Sequence, residues 1–108
     1  MKLSFADLRL ANDTRQTEWA GDVEVDLSFR GNELGGEVGE ALNVIKKLER
    51  ERLGIRGSRD TLEHLAQELA DVVICVDLIA AKVGIDLSDA VRDKFNATSE
   101  KVCLTTKL

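Results

Sequence analysis

Residues 62–84 read LEHLAQELADVVICVDLIAAKVG, and this stretch decides the fold. Leu62, Leu65, Ala66, Leu69, Val72, Val73, Val76, Ile79, Ala80 and Val83 recur at helical spacing. They form an apolar stripe wide enough to face neighbours on two sides. Gly84 ends the helix. Upstream, from about Phe29 to Leu53, Leu34, Val38, Ala41, Leu42, Ile45 and Leu48 repeat the spacing. The exposed end of this long amphipathic helix carries Lys46, Lys47, Glu49, Arg50, Glu51 and Arg52. Between the two helices, Gly54, Gly57 and Ser58 supply a C-cap, a turn and an N-cap.

The flanks follow the same logic. Ser4 with Asp7 in the first turn opens a helix to about Trp19, with Phe5, Leu8 and Ala11 on one side and Gly21 as its stop. Val23, Val25 and Leu27 alternate as in a short strand, but a lone strand has nothing to pair with, so Asp22 to Ser28 reads as a linker. After Gly84, Asp86 or Ser88 caps a fourth helix that carries Ala90, Val91 and Phe95 and runs to about Cys103. The expectation is one all-α domain over residues 1–108, of four-helix bundle type. Dimerisation completes it, because a domain this small buries only about 60 to 70% of the surface its unfolded chain exposes.

Composition supports this and excludes several functions. The chain has no Pro, no Tyr, three Phe and one Trp, which fits uninterrupted helices packed with aliphatic side chains rather than a β-sandwich. A net charge of −5 and a pI near 4.9 oppose a nucleic-acid partner, which requires a basic face. No apolar run approaches the ~20 residues of a membrane span. Cys75 and Cys103 sit in apolar runs without CxxC spacing and read as buried free thiols. With no signal-peptide pattern, a cytoplasmic location is expected.

The chemistry lies in two like-charged pairs. Glu37 and Glu40 are three apart on the second helix, as are Glu68 and Asp71 on the third, so each pair projects from one face. Four residues beyond these acids stand Ala41, Val44, Val72 and Cys75, where a surface helix would place Lys or Arg. Asp71 is bracketed by Leu69, Ala70, Val72 and Val73, where an unpaired carboxylate would cost several kcal/mol or stay protonated. A divalent cation would compensate, since Mg²⁺ takes a few carboxylates completed by water and phosphate. Gly35, Gly36 and Gly39 in the same helix each cost about 1 kcal/mol relative to alanine. They mark either a close approach by a helix or ligand, or a local kink. A carboxylate-bridged di-iron bundle needs Glu-x-x-His twice, and His64 is the sole histidine, with Thr61 three residues before it.

The segment ELGGEVGEALN, with Glu37 and Glu40, followed by ELADVVICVDL, with Glu68 and Asp71, resembles the MazG-like nucleotide pyrophosphohydrolases, a family defined by ExxE followed by ExxD. The likeness runs from about Asn32 through the third helix, and KFNATSEK is similar to the family's closing helix. The resemblance implies Mg²⁺-dependent cleavage of a nucleoside triphosphate to the monophosphate and pyrophosphate, with Mn²⁺ as a substitute, in nucleotide-pool housekeeping. It further implies a homodimer or homotetramer, and all four acids as catalytic metal ligands, one of which, Glu37 or Glu40, could instead orient the water. Glu33, one turn earlier, is either an accessory base or a surface acid. Lys94 matches the basic residue that the family places on its last helix toward phosphate. Thr98 stands where some relatives carry Arg, so Lys101 is the substitute. His64, where some relatives use Lys, either donates to phosphate or caps. Trp19 suits a wall for the base or an interface, and Arg30 and Asn32 are candidates for sugar or base contacts. The alternative is a non-catalytic helical dimerisation or regulatory module, whose acids would tolerate replacement by alanine.

Overall fold

The computed structural model describes residues 2–108 and contains α1 (Phe5–Ala20), α2 (Leu27–Leu53), α3 (Leu62–Lys82) and α4 (Leu87–Lys101), with no strand among the described residues. The chain is thus all-helical, as expected. Each helix starts at an extended residue whose side chain accepts a backbone N–H three positions on: Ser4 from Asp7, Asp26 from Phe29, Thr61 from His64 and Asp86 from Asp89. Ser4 and Asp7 form a reciprocal capping box, which satisfies two otherwise orphaned N–H groups.

The boundaries correct the sequence reading in three places. Asp26 caps α2, so Leu27 and Ser28 belong to its first turn rather than to a linker. Thr61, not Ser58, caps α3; Arg50 Nη1 donates to the Ser58 carbonyl at 3.0 Å and to its Oγ at 3.3 Å, which ties the loop back onto α2. Cys75 is buried, but Cys103 is exposed. The helix ends at Lys101, and Cys103 turns off the apolar line with a left-handed φ of 59°.

α2 packs along α3, α1 packs on another side of α3, and α4 touches α1 only lightly. In α2 the covered line is Leu34, Glu37, Ala41, Val44 and Leu48; in α3 it is Leu65, Glu68, Val72, Cys75 and Ile79. Alternating steps of three and four are those of a helix–helix seam. Two carboxylates therefore occupy seam positions where aliphatic side chains are the rule. A second stripe on each helix lies uncovered, with Val38, Leu42 and Ile45 on α2 and Leu69, Val73 and Val76 on α3 exposed, as are Val91 and Phe95 on α4.

The result is an open arrangement. The buried apolar residues are Ala41, Val44, Cys75, Leu78 and Ala80. The radius of gyration is 17.2 Å, against about 13 Å for a compact chain of this length. The accessible surface is 8029 Å², against about 6000 Å² for a compact monomer of this mass.

α1 is fixed to α3 by a polar stitch that helical periodicity did not foretell. Asp77 is wholly buried. Its Oδ1 accepts from Arg9 Nε at 3.0 Å and its Oδ2 from Asn12 Nδ2 at 2.9 Å, while Arg9 Nη2 donates to the Ile85 carbonyl at 2.7 Å. α1 therefore presents Asn12 as its one buried residue, and Phe5 and Ala11, expected on an apolar side, are exposed.

Candidate metal centre

The seam positions explain how the acids converge. α2 and α3 run side by side, and carboxylate oxygens of Glu37, Glu40 and Glu68 all lie within 4.8 Å of one another. Glu37 and Glu68 are half-buried in the seam and Glu40 is exposed beside them. Oε2 of Glu37 and Oε2 of Glu68 are buried and have no hydrogen-bond partner. Buried carboxylate oxygens without partners are costly. Burial pushes the Glu37 carboxyl above the ordinary carboxylate range, and the charges of Glu40, Asp71 and Glu68 push it the same way.

Asp71 stands apart from this trio. Despite its apolar sequence neighbours it is exposed at the rim, because those neighbours lie on other faces of α3. Its charge still reaches inward, raising both Glu37 and the Cys75 thiol. Cys75, one turn further on in the seam, is held up to about 11, chiefly by burial and then by Glu33, Glu37 and Asp71.

His64 has both ring nitrogens engaged: Nδ1 lies 2.8 Å from Asp60 Oδ1 and Nε2 lies 2.9 Å from Glu68 Oε1. The Asp60 bond raises the imidazole above its usual value and Glu68 adds to the rise, with burial opposing. Asp60 in turn accepts the Thr61 N–H at 2.8 Å, the largest cause of its lowered carboxyl, and has Lys47 Nζ of α2 at 3.9 Å. Asp60 and Lys47 are not legible from the residues four beyond each acid, because Asp60 lies before the helix and Lys47 on another one. The i, i+4, i+8 spacing of Asp60, His64 and Glu68 was the available signal.

The remaining expected contacts divide clearly. Arg30 is committed to its own chain, donating to Glu33 Oε1 at 3.0 Å and to Gln16 Oε1 of α1 at 2.9 Å, and Glu33 is thereby paired. Asn32 folds back onto the Ser28 carbonyl at 2.9 Å. Trp19 is 78% exposed on α1. Lys94 and Lys101 are exposed on α4, whose main packing is a light contact with α1 rather than with the acid-bearing helices. Gly35, Gly36 and Gly39 have nothing within 4 Å of an added Cβ. The close approach read into these glycines is absent within the chain, because they lie on the uncovered side of α2.

What the arrangement can do follows from the donor set. Three hard carboxylates in reach of one point, two presenting buried oxygens that no protein group satisfies, fit a small hard divalent cation and do not fit a soft one. No helix among the described residues is long and apolar enough to cross a membrane. No protein-family model matches the chain, and no curated protein matches it.

Proposed function

We propose that the chain is a divalent-cation-dependent hydrolase of phosphoric anhydrides. More particularly, we propose a MazG-like pyrophosphohydrolase that splits a nucleoside triphosphate into monophosphate and pyrophosphate. The observation that carries the first step is the pair of buried, unpartnered oxygens of Glu37 and Glu68 beside Glu40. The second step rests on the resemblance of ExxE and ExxD in Glu37, Glu40, Glu68 and Asp71 to that family. These four residues would hold Mg²⁺, or Mn²⁺ in its place, with Asp71 entering from the rim. When bound, the cation would neutralise phosphate oxygens and make water a better nucleophile. Glu40, exposed at the mouth, is the acid best placed to orient water.

Substrate groups from outside the seam must come from elsewhere. Arg30 and Asn32 are engaged within their own helices or with α1, so they serve the frame before any ligand. Lys94, Lys101 and Trp19 are free to serve a neighbouring subunit's site. We take the working form as a homodimer or homotetramer, supported by the uncovered stripes of α2 and α3 and by the lightly packed α4. Light scattering at micromolar concentration should give a multiple of 11.9 kDa; a fully active monomer defeats this part.

The deciding experiment offers a panel of nucleoside triphosphates with Mg²⁺ and scores pyrophosphate against orthophosphate. Pyrophosphate is expected from at least one. Asp71→Ala and Glu40→Ala should each reduce turnover by about a hundredfold or more, with the helical signal retained. The second reading, a helical dimerisation module without catalysis, is favoured by the exposed apolar stripes alone. It stands if no triphosphate yields pyrophosphate and both variants behave as wild type.

A further inference from the structure

We propose that His64 is a positioning residue that makes Glu68 a one-oxygen ligand, and that it thereby biases the acid cluster toward small octahedral cations over Ca²⁺. This rests on the metal reading above and assigns His64 a task different from phosphate contact.

The two oxygens of Glu68 have different surroundings. Oε1 is engaged by His64 Nε2 at 2.9 Å, whereas Oε2 is buried and has no partner. The imidazole is fixed from its far side, because Nδ1 is held by Asp60 Oδ1 at 2.8 Å. The two ring nitrogens point in set, nearly opposed directions in one plane, so fixing one end fixes the other. Asp60 is itself anchored by the Thr61 N–H at 2.8 Å and by Lys47 on α2 at 3.9 Å. The side chains of Asp60 and Glu68 are 10% and 12% exposed, so neither has room to exchange its partner freely with water. Lys47, Asp60, His64 and Glu68 thus form a strut from α2 through the loop to the seam. It leaves Oε2 as the Glu68 oxygen with no protein partner.

That choice matters for the ion. Ca²⁺ takes six to eight oxygens at about 2.3–2.6 Å and commonly uses a carboxylate through both oxygens, whereas Mg²⁺ demands near-octahedral geometry at about 2.0–2.1 Å, met one oxygen at a time. The His64 bond takes one of the two lone pairs of Oε1 and fixes how the carboxylate is turned, so two-oxygen binding by Glu68 must turn the carboxylate against that hydrogen bond and weaken it. Without His64, the carboxylate is free to turn and offer both.

The test uses the full-length chain and reads binding, not turnover. Bound Mn²⁺ is followed by loss of the free-ion electron paramagnetic resonance signal, then displaced by Mg²⁺ or by Ca²⁺. The quantity of interest is the ratio of the Ca²⁺ to the Mg²⁺ dissociation constant. A change in local charge alters the affinities of two divalent ions of the same charge alike, so the ratio isolates positioning from charge. His64→Ala should lower the ratio by about tenfold. His64→Gln, which keeps an N–H donor near Glu68, should recover part of it. Asp60→Asn, which keeps the loop acceptor but weakens the hold on Nδ1, should lower the ratio by a smaller factor and serves if His64→Ala does not fold. A ratio unchanged in His64→Ala and Asp60→Asn, with Mn²⁺ still bound by the wild type, overturns the proposal alone. Absence of Mn²⁺ binding to the wild type at millimolar concentration overturns it together with the metal reading.

Discussion

Asp77 and Glu68 lie nine residues apart on α3, and both carry a carboxylate into the interior. Asp77 is met on both oxygens by Arg9 and Asn12 of α1. Glu68 is met on one oxygen by His64, and its other oxygen, like one of Glu37, has no partner. The first site is closed by protein and holds the fold together; the second is left short of positive charge in the middle of a helix seam. A buried acid is therefore not by itself a functional signal. What distinguishes the two is whether the chain supplies the counter-charge.

The comparison is broken most forcefully at Asp77. Arg9→Met leaves a wholly buried carboxylate without its cation, and urea unfolding should show a loss of about 3 kcal/mol, a large share of the stability of a domain this small. Adding Asp77→Leu to Arg9→Met removes the stranded charge and should return part of the loss, the rest being held back by the buried Asn12 amide that loses its acceptor. Equal losses from the single and double variants would show that the stitch acts by something other than charge pairing.

At the unpaired site the sign reverses. Glu37→Gln removes a carboxyl that burial and its acidic neighbours already hold above the normal range, so the metal-free protein should melt at a higher temperature. On the proposed metal reading, Mg²⁺ should raise the melting temperature of the wild type, and the same variant should lose that rise and about a hundredfold in turnover. A lower metal-free melting temperature would mean that Glu37 is structurally satisfied after all.

A reporter already stands between the two sites. Cys75 lies two residues before Asp77, yet the acids that raise its thiol are Glu33, Glu37 and Asp71, on the unpaired side. With its thiol held up to about 11, it should be alkylated at pH 8 about a hundredfold more slowly than an unburied thiol, and faster as pH rises toward 11. Exposed Cys103 should react at once and serve as the internal standard. Glu37→Gln should speed Cys75 alkylation by a few-fold; no change would detach the thiol from the acid cluster.

The smallest effects are expected at the glycines. Nothing among the described residues opposes a Cβ at Gly35 or Gly39, so in an isolated chain Gly35→Ala and Gly39→Ala should each stabilise α2 by up to about 1 kcal/mol. If a second copy covers that side of the helix, the same variants should weaken assembly instead, visible as a shift toward 11.9 kDa on dilution.

The helices were legible because their causes are local. Ser4 with Asp7, the apolar spacing of residues 62–83 and the glycine stops act over a few residues, and the boundaries that moved are the caps at Asp26 and Thr61 and the end of α4 at Lys101. Glu37, Glu40 and Glu68 were legible for a similar reason: acids at i and i+3 with no cation at i+4 stand out on a single helix. Asp77 carried a different signal, a lone acid set among Ile74, Cys75, Val76, Leu78 and Ile79, and its partners lie more than sixty residues away on α1. Asp71 failed in the opposite direction, since apolar sequence neighbours on other faces of a helix do not bury a side chain.

By itself, then, the sequence determined that the chain is helical, where each helix begins and ends to within a few residues, and which acids lack a local counter-charge, because these depend on spacing along one element. Only the tertiary structure decided which of those acids share a seam, that His64 is spent on Glu68 and Asp60, and that Asp77 is satisfied. Those outcomes depend on which helix faces which, a choice made by side-chain packing between segments far apart in the chain.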